Sequence, residues 1–111
     1  MTYDRELAEH LRAIFDGEAD VSEKKMFGGV AFLVDGAMAI SASSRGGLMV
    51  RVDPADTEDL IASGDASFIE MRGKPMRGWV RVAAERVRSE RELKAWCRRG
   101  VAAARSSTAA S

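Results

Sequence analysis

Few side chains in this sequence are of a kind that does covalent chemistry. Cys97 is the single cysteine and His10 the single histidine. Cys97 stands beside Trp96 on what reads as the apolar face of a helix, where a thiol is buried and inert. His10 lies between Leu7 and Leu11, bordering an apolar stripe, with no cysteine near it in sequence to make a base or ligand pair. Ser41, Ser43 and Ser44 lack the pattern of a nucleophile elbow. Gly28-Gly29 and Gly46-Gly47 are paired glycines, but neither precedes Lys-Ser/Thr nor sits in a G-x-G-x-x-G run. A bulge and a hairpin turn account for them. Asp53, Asp56, Glu58 and Asp59 cluster at a helix start, where acids suit the dipole, and EF-hand spacing is absent. The expectation is therefore no catalytic residue, no metal and no cofactor.

What remains is chemistry of recognition. Arg77, Trp79 and Arg81 alternate with Val80 and Val82, so they share one face of a strand. If the valines face helices, the trio faces outward, with Arg51 and Met49 as neighbours on the open face. Arginine and tryptophan together stack on bases and hold phosphates, and they also recur at protein interfaces. A solvated sheet face, a protein interface and a nucleic-acid surface are thus three readings of the same residues. A second basic group, Arg91, Lys94, Arg98 and Arg105, forms a stripe along a helix, opposite its apolar side.

The elements that must position these residues are those of one small domain. The chain has 111 residues with 46% apolar and 31% charged residues, a globular mix. Such a chain buries roughly two-thirds of its unfolded surface, enough for one core without staples. There is no apolar run of membrane-spanning length, and the opening MTYDRELAEH has no apolar segment of a signal peptide. A lone cysteine and the missing leader point to a reducing cytoplasm. Formal net charge is zero, which opposes a globally basic nucleic-acid binder. The charges are nonetheless segregated. Residues 1–70 hold 6 Lys/Arg against 14 Asp/Glu, and residues 71–111 hold 11 against 3, giving net −8 and +8. Either the two halves pair within the chain, or an anion-facing surface or an acid-to-base pair of copies results.

Along the chain, Tyr3, Leu7, Leu11, Ile14 and Phe15 recur at helical spacing, predicting a helix over 3–15 that stops near Gly17. Asp16 to Ser22 reads as an acidic loop. A strand follows, starting between Lys24 and Phe27, bent by a bulge at Gly28-Gly29 and continuing through Val30, Phe32 and Val34. Asp35-Gly36 is the pair a type I′ hairpin needs, and Arg45-Gly46-Gly47 marks a second turn before Leu48, Val50 and Val52. Asp53-Pro54 caps and opens a short helix ending at Gly64. Residues 67–72 and 78–83 read as strands joined by a Gly73-Lys74-Pro75 turn. Ser89 and Glu92 form a capping box for a helix over 89–104, its apolar side Leu93, Trp96, Cys97, Val101 and Ala104. The predicted fold is α+β, ordered α-β-β-β-α-β-β-α, with a five-stranded antiparallel sheet. The core is expected to hold Leu7, Leu11, Ile14, Phe32, Val50, Val80, Val82, Leu93 and Trp96. The domain spans 1–104, with 105–111 as a flexible tail.

Several segments, in order, resemble one family. Lys25-Met26-Phe27-Gly28-Gly29-Val30-Ala31-Phe32 is similar to the opening strand of the TfoX N-terminal domain family, also called TfoX/Sxy. Gly47-Leu48-Met49-Val50-Arg51-Val52-Asp53 resembles its third strand and helix entry. Lys74-Pro75-Met76-Arg77-Gly78-Trp79-Val80-Arg81-Val82 resembles its last strand, and Glu92-Leu93-Lys94-Ala95-Trp96 its closing helix. The resemblance covers roughly residues 3–104. It implies an antiparallel α+β domain grouped with secretion-chaperone-like folds. The namesake proteins are bacterial competence regulators that act at promoters also needing the cyclic-AMP receptor protein. They carry a second, C-terminal domain for which this chain has no room, and the family brings no catalytic residues to carry over. The resulting expectation is a non-enzymatic, cytoplasmic domain that acts by binding protein, with a regulatory role and a homodimeric state. Its candidate interaction surface is Arg51, Arg77, Trp79, Arg81, Arg91, Lys94 and Arg98. The alternative is a nucleic-acid-associated transcriptional or competence module. An enzyme with a cryptic site is the third class, and no nucleophile–base or metal set speaks for it.

Overall fold

The structure, a computed structural model, describes residues 5–18, 20–26, 28–43, 46–71 and 73–109. Three helices and one sheet make two layers. Helix α1 spans Arg5–Ile14, α2 Thr57–Ala62 and α3 Glu90–Ala109. The strands are β1 Val21–Met26, β2 Gly29–Val34, β3 Ala37–Ala42, β4 Leu48–Arg51, β5 Ser67–Met71 and β6 Lys74–Val82. They form one antiparallel sheet in the order β1-β2-β3-β4-β6-β5.

The sheet thus has six strands, where five were expected. The extra strand is β1. Gly28, at φ +77°, does not bulge a continuous strand but turns the chain, so that Met26 pairs with Gly29 and Val21 with Val34. Strand β1 takes over the end of the segment expected to be loop, and its middle residues are exposed and charged. That is how a sheet edge is protected from pairing with another chain. At the other end β6 starts at Lys74, so the turn expected at Gly73-Lys74-Pro75 is tighter, and Lys74 already pairs with Met71.

Local signals otherwise act as their chemistry requires. Asp35 and Gly36 both take positive φ, 49° and 86°, in the β2–β3 hairpin. Asp53 accepts a hydrogen bond from the Ala55 N–H at 2.9 Å, capping a 3-10 turn at Pro54–Asp56 that leads into α2. The Glu92 N–H donates to Ser89 Oγ at 3.1 Å, while the Ser89 hydroxyl donates to Glu92 Oε1 at 3.0 Å. Helix α3 runs on past its expected end at 104, and Arg105 within it is held by Asp20 at 2.7 Å. Tyr3, Phe27, Arg45 and Arg72 lie outside the described residues.

All three helices lie on one side of the sheet. Leu7 and Leu11 of α1, Leu60 of α2, and Leu93 and Cys97 of α3 share a core with Val30, Phe32, Ile40, Val50, Val80 and Val82. Phe15 stacks on Phe32 with ring centroids 5.3 Å apart. Ile14 and Trp96, expected in the core, are only half-buried against it. Trp96 stands on the flank of α3, where the Arg99 guanidinium lies 5.6 Å from its ring centroid. The side of α3 nearest the sheet is lined instead by Leu93, Cys97, Gly100 and Ala104. Thr57 is fully buried; its hydroxyl oxygen accepts from the Gly78 N–H at 3.0 Å, tying α2 to β6.

Candidate functional site

Strand alternation sends the core residues toward the helices and leaves their neighbours on the other side. The register lines these neighbours up in rows across the sheet. One row runs Lys24, Ala31, Ser41, Met49, Arg81, Ser67. A second joins Ser22, Leu33 and Met38, and Arg51 pairs with Trp79. None of the residues in these rows is acidic. Among the described elements, no helix packs on this side. Leu33, Met38, Met49 and Trp79 are half-buried there, and Ala31 is buried beneath its neighbours. An antiparallel sheet facing water usually alternates apolar-in and polar-out, and here the outer side mixes Ala31, Leu33, Met38, Met49 and Trp79 with its polar residues.

Two arginines are fixed on this side. The Arg51 guanidinium lies 4.5 Å from the Trp79 ring centroid, and its Nε–H donates to the Met38 carbonyl at 2.7 Å. That carbonyl lies beside a break in the β2–β3 register, where Phe32 pairs with Ile40 and Leu33 with Met38, leaving Ala39 as the extra residue. Burial lowers the pKa of Arg51, though a guanidinium remains charged at any physiological pH. Arg81 donates to the Ser43 hydroxyl at 3.2 Å.

Beside Arg51 and Trp79 the molecule opens into a cleft of about 750 Å³ between α3 and the chain leaving β4. Arg77 and Arg98 also line it, so four of the seven residues expected at an interaction surface meet here. Arg99 joins them, a residue the sequence reading did not select. Arg81, Arg91 and Lys94 do not border this cleft. Lys94 pairs with Glu90 at 3.5 Å, and Arg91 is simply exposed. Lys94, Arg98 and Arg105 edge a second groove of about 500 Å³ floored by Phe15, Cys97 and Val101. The helical basic stripe is thereby divided between two grooves.

Part of the segregated charge is paired inside the molecule. Among the described residues, three of five ion pairs join the acidic and basic parts of the chain: Arg86–Asp65, Arg99–Asp56 and Arg105–Asp20. Hydrogen bonding from Arg105 holds the Asp20 carboxyl below its usual range. Cys97 is buried, and desolvation pushes its thiol pKa up to about 12, opposed weakly by Arg98. His10 is exposed. Among the described residues no three His, Cys, Asp or Glu side chains are grouped to hold a metal ion, and no helix is long and apolar enough to cross a membrane.

Comparison with known proteins bears on the whole of this arrangement. No curated protein and no solved structure matches the chain. The family model of the TfoX N-terminal domain matches residues 13–104, a span that takes in the end of α1, the whole sheet and α3 through Ala104. The sheet, its uncovered side and the four arginines of the cleft fall within that span, and by it the chain belongs to the TfoX N-terminal domain family.

Proposed function

We propose that this domain is a non-enzymatic protein-binding module and that it docks its partner on the uncovered side of the sheet. One observation carries the reading: Ala31, Leu33, Met38, Met49 and Trp79 lie together on a sheet surface that no described helix covers. Methionine, tryptophan and arginine are the side chains enriched at protein interfaces. The partner's chemistry follows from the charge. Lys24, Arg51 and Arg81 stand in the rows with no carboxylate among them, so the face fits a partner segment that is both apolar and acidic. A two-fold pair of copies joined through this face would set cations against cations, which favours a different protein over a homodimer. A regulatory role follows from such binding without any catalytic step.

The alternative, a nucleic-acid-associated regulator module, is favoured by the four arginines of the cleft. It is opposed by Asp53 and Asp56 in the same lining and by the zero net charge. The test is photo-crosslinking in the native cell from position 49, with position 58 on the helical layer as control. The reading expects a discrete protein adduct from position 49 that survives nuclease and disappears with Arg81→Glu. Capture that depends on intact nucleic acid, or equal capture from both positions, refutes it. Light scattering is expected to report a monomer; a dimer dispersed by Met49→Asp makes a second copy the occupant instead.

A further inference from the structure

The cleft beside Trp79 has features that protein docking on the sheet does not use. Two arginines that fasten distant parts of the fold are engaged closely: Arg12 grips Glu23 through two bonds of 2.7 Å, and Arg105 holds Asp20 at 2.7 Å. In the cleft the engagement is loose. Arg99 is 3.9 Å from Asp56, Arg77 reaches the Pro54 carbonyl at 3.4 Å, and Arg98 makes no ion pair among the described residues. Each guanidinium carries five N–H donors in a planar fork that matches phosphate oxygens, so most of this donor capacity is unspent. Arg51 has another role. Stacked on Trp79 and tied to Met38, it is a fixed part of the wall.

The carboxylates set the charge that the site accepts. Asp53 and Asp56 line the cleft with the four arginines, leaving a net +2. Asp53 is already committed to the Ala55 N–H. A dianion balances that lining; a longer polyanion would run into the two aspartates. The rest of the wall is apolar and low. Pro54 and Trp79 form one side, and Ala95, Ala102 and Ala103 keep the α3 side free of bulk. A volume of about 750 Å³ lies within the size range of small-molecule sites.

The geometry points to a binding site for a small phosphate monoester: the dianionic phosphate on Arg77, Arg98 and Arg99, and its organic body against Pro54, Trp79 and the alanines. The site shares Trp79 with the docking face, but it does not rest on the sheet-docking reading, because Arg77, Arg98 and Arg99, which hold the phosphate, lie outside the docking rows.

The experiment uses the whole chain labelled with ¹⁵N and two probes, phenyl phosphate and inorganic phosphate, followed through the arginine Nε–H and the tryptophan indole resonances. Phenyl phosphate is expected to give saturable shifts at Arg77, Arg98, Arg99 and Trp79, and to bind about tenfold tighter than inorganic phosphate through its apolar body. Arg98→Glu should weaken it at least about tenfold, while Lys94→Glu, outside the cleft, should leave it unchanged. Binding should also weaken as pH falls below about 6, where the ester loses its second charge. Shifts that stay linear up to about 10 mM, or equal losses from Arg98→Glu and Lys94→Glu, would mean only diffuse surface attraction and would overturn the assignment. A duplex oligonucleotide that displaces phenyl phosphate from the same resonances at lower concentration would overturn it in favour of nucleic acid. Thermal melts of each variant confirm that the fold persists.

Discussion

Gly100→Ala sets two physical effects against each other. Gly100 lies inside α3, and replacing glycine by alanine in a helix interior gains about 1 kcal/mol from propensity alone. Here a methyl group has no room. A Cβ at this position would stand 2.6 Å from the Ala39 carbonyl oxygen and 3.2 Å from its carbon, with Val50 Cγ1 at 3.5 Å. An ordinary carbon–oxygen contact is about 3.4 Å, so the helix must retreat by about 0.8 Å or tilt. The obstacle is backbone of a central strand, at the extra residue of the β2–β3 register break, and it has no rotamer through which to yield. Retreat would also loosen Leu93, Cys97 and Ala104, which α3 presses onto the same layer. Overpacking costs about 1–3 kcal/mol, and an obstacle made of backbone puts this site in the upper part, about 2–3 kcal/mol. After the propensity gain of about 1 kcal/mol the net loss should be about 1–2 kcal/mol. The melting temperature should fall by about 4–10 °C. Urea denaturation followed by circular dichroism and tryptophan fluorescence measures it, with Ala102→Gly, exposed on the same helix, reporting the bare propensity term. A midpoint for Gly100→Ala at or above that of the wild type would refute the close approach of α3 to β3.

Other outcomes follow from burial and charge. Leu93→Ala, at a side chain 2% exposed, should cost about 2–5 kcal/mol in the same denaturation assay. Cys97 should resist a thiol-specific chromogenic reagent at pH 8 in the native protein and react fully in denaturant, because burial raises its pKa to about 12. Glu23 is held below the usual carboxylate range, first by its hydrogen bonds from Arg12. The stability it contributes is therefore complete above the ordinary carboxylate pKa and is lost as pH falls through the depressed value. Arg12→Ala should move the Glu23 midpoint upward in a ¹³C carboxyl titration, and an unchanged midpoint would show that the pair is not formed in solution.

The sequence by itself determined those features whose cause lies within a few residues. Asp35-Gly36 dictates a hairpin because both residues must take positive φ, and few other pairs do so cheaply. Asp53-Pro54 and Ser89-x-x-Glu92 start helices through bonds to neighbouring N–H groups. The 3.6- and 2-residue periods place Leu11, Val80 and Leu93 inside, and α1, β4 and α3 emerge where the periods change. The mid-helix Gly100, in step with Leu93, Cys97 and Ala104, is a sign of close packing legible in the sequence. Tertiary structure decided the rest. Strand β1 is an edge whose charged middle carries no apolar alternation, so only its ladder with β2 makes it a strand. Trp96 looks like core on a helical wheel, but α3 seats Leu93, Cys97, Gly100 and Ala104 toward the sheet, which leaves Trp96 on the flank beside Arg99. The cleft gathers Arg51, Arg77, Arg98 and Arg99 from three elements far apart in the chain. Spacing along a sequence fixes which face of one element a side chain occupies. Which faces of different elements meet is set by strand order and helix placement, and these depend on contacts over the whole chain.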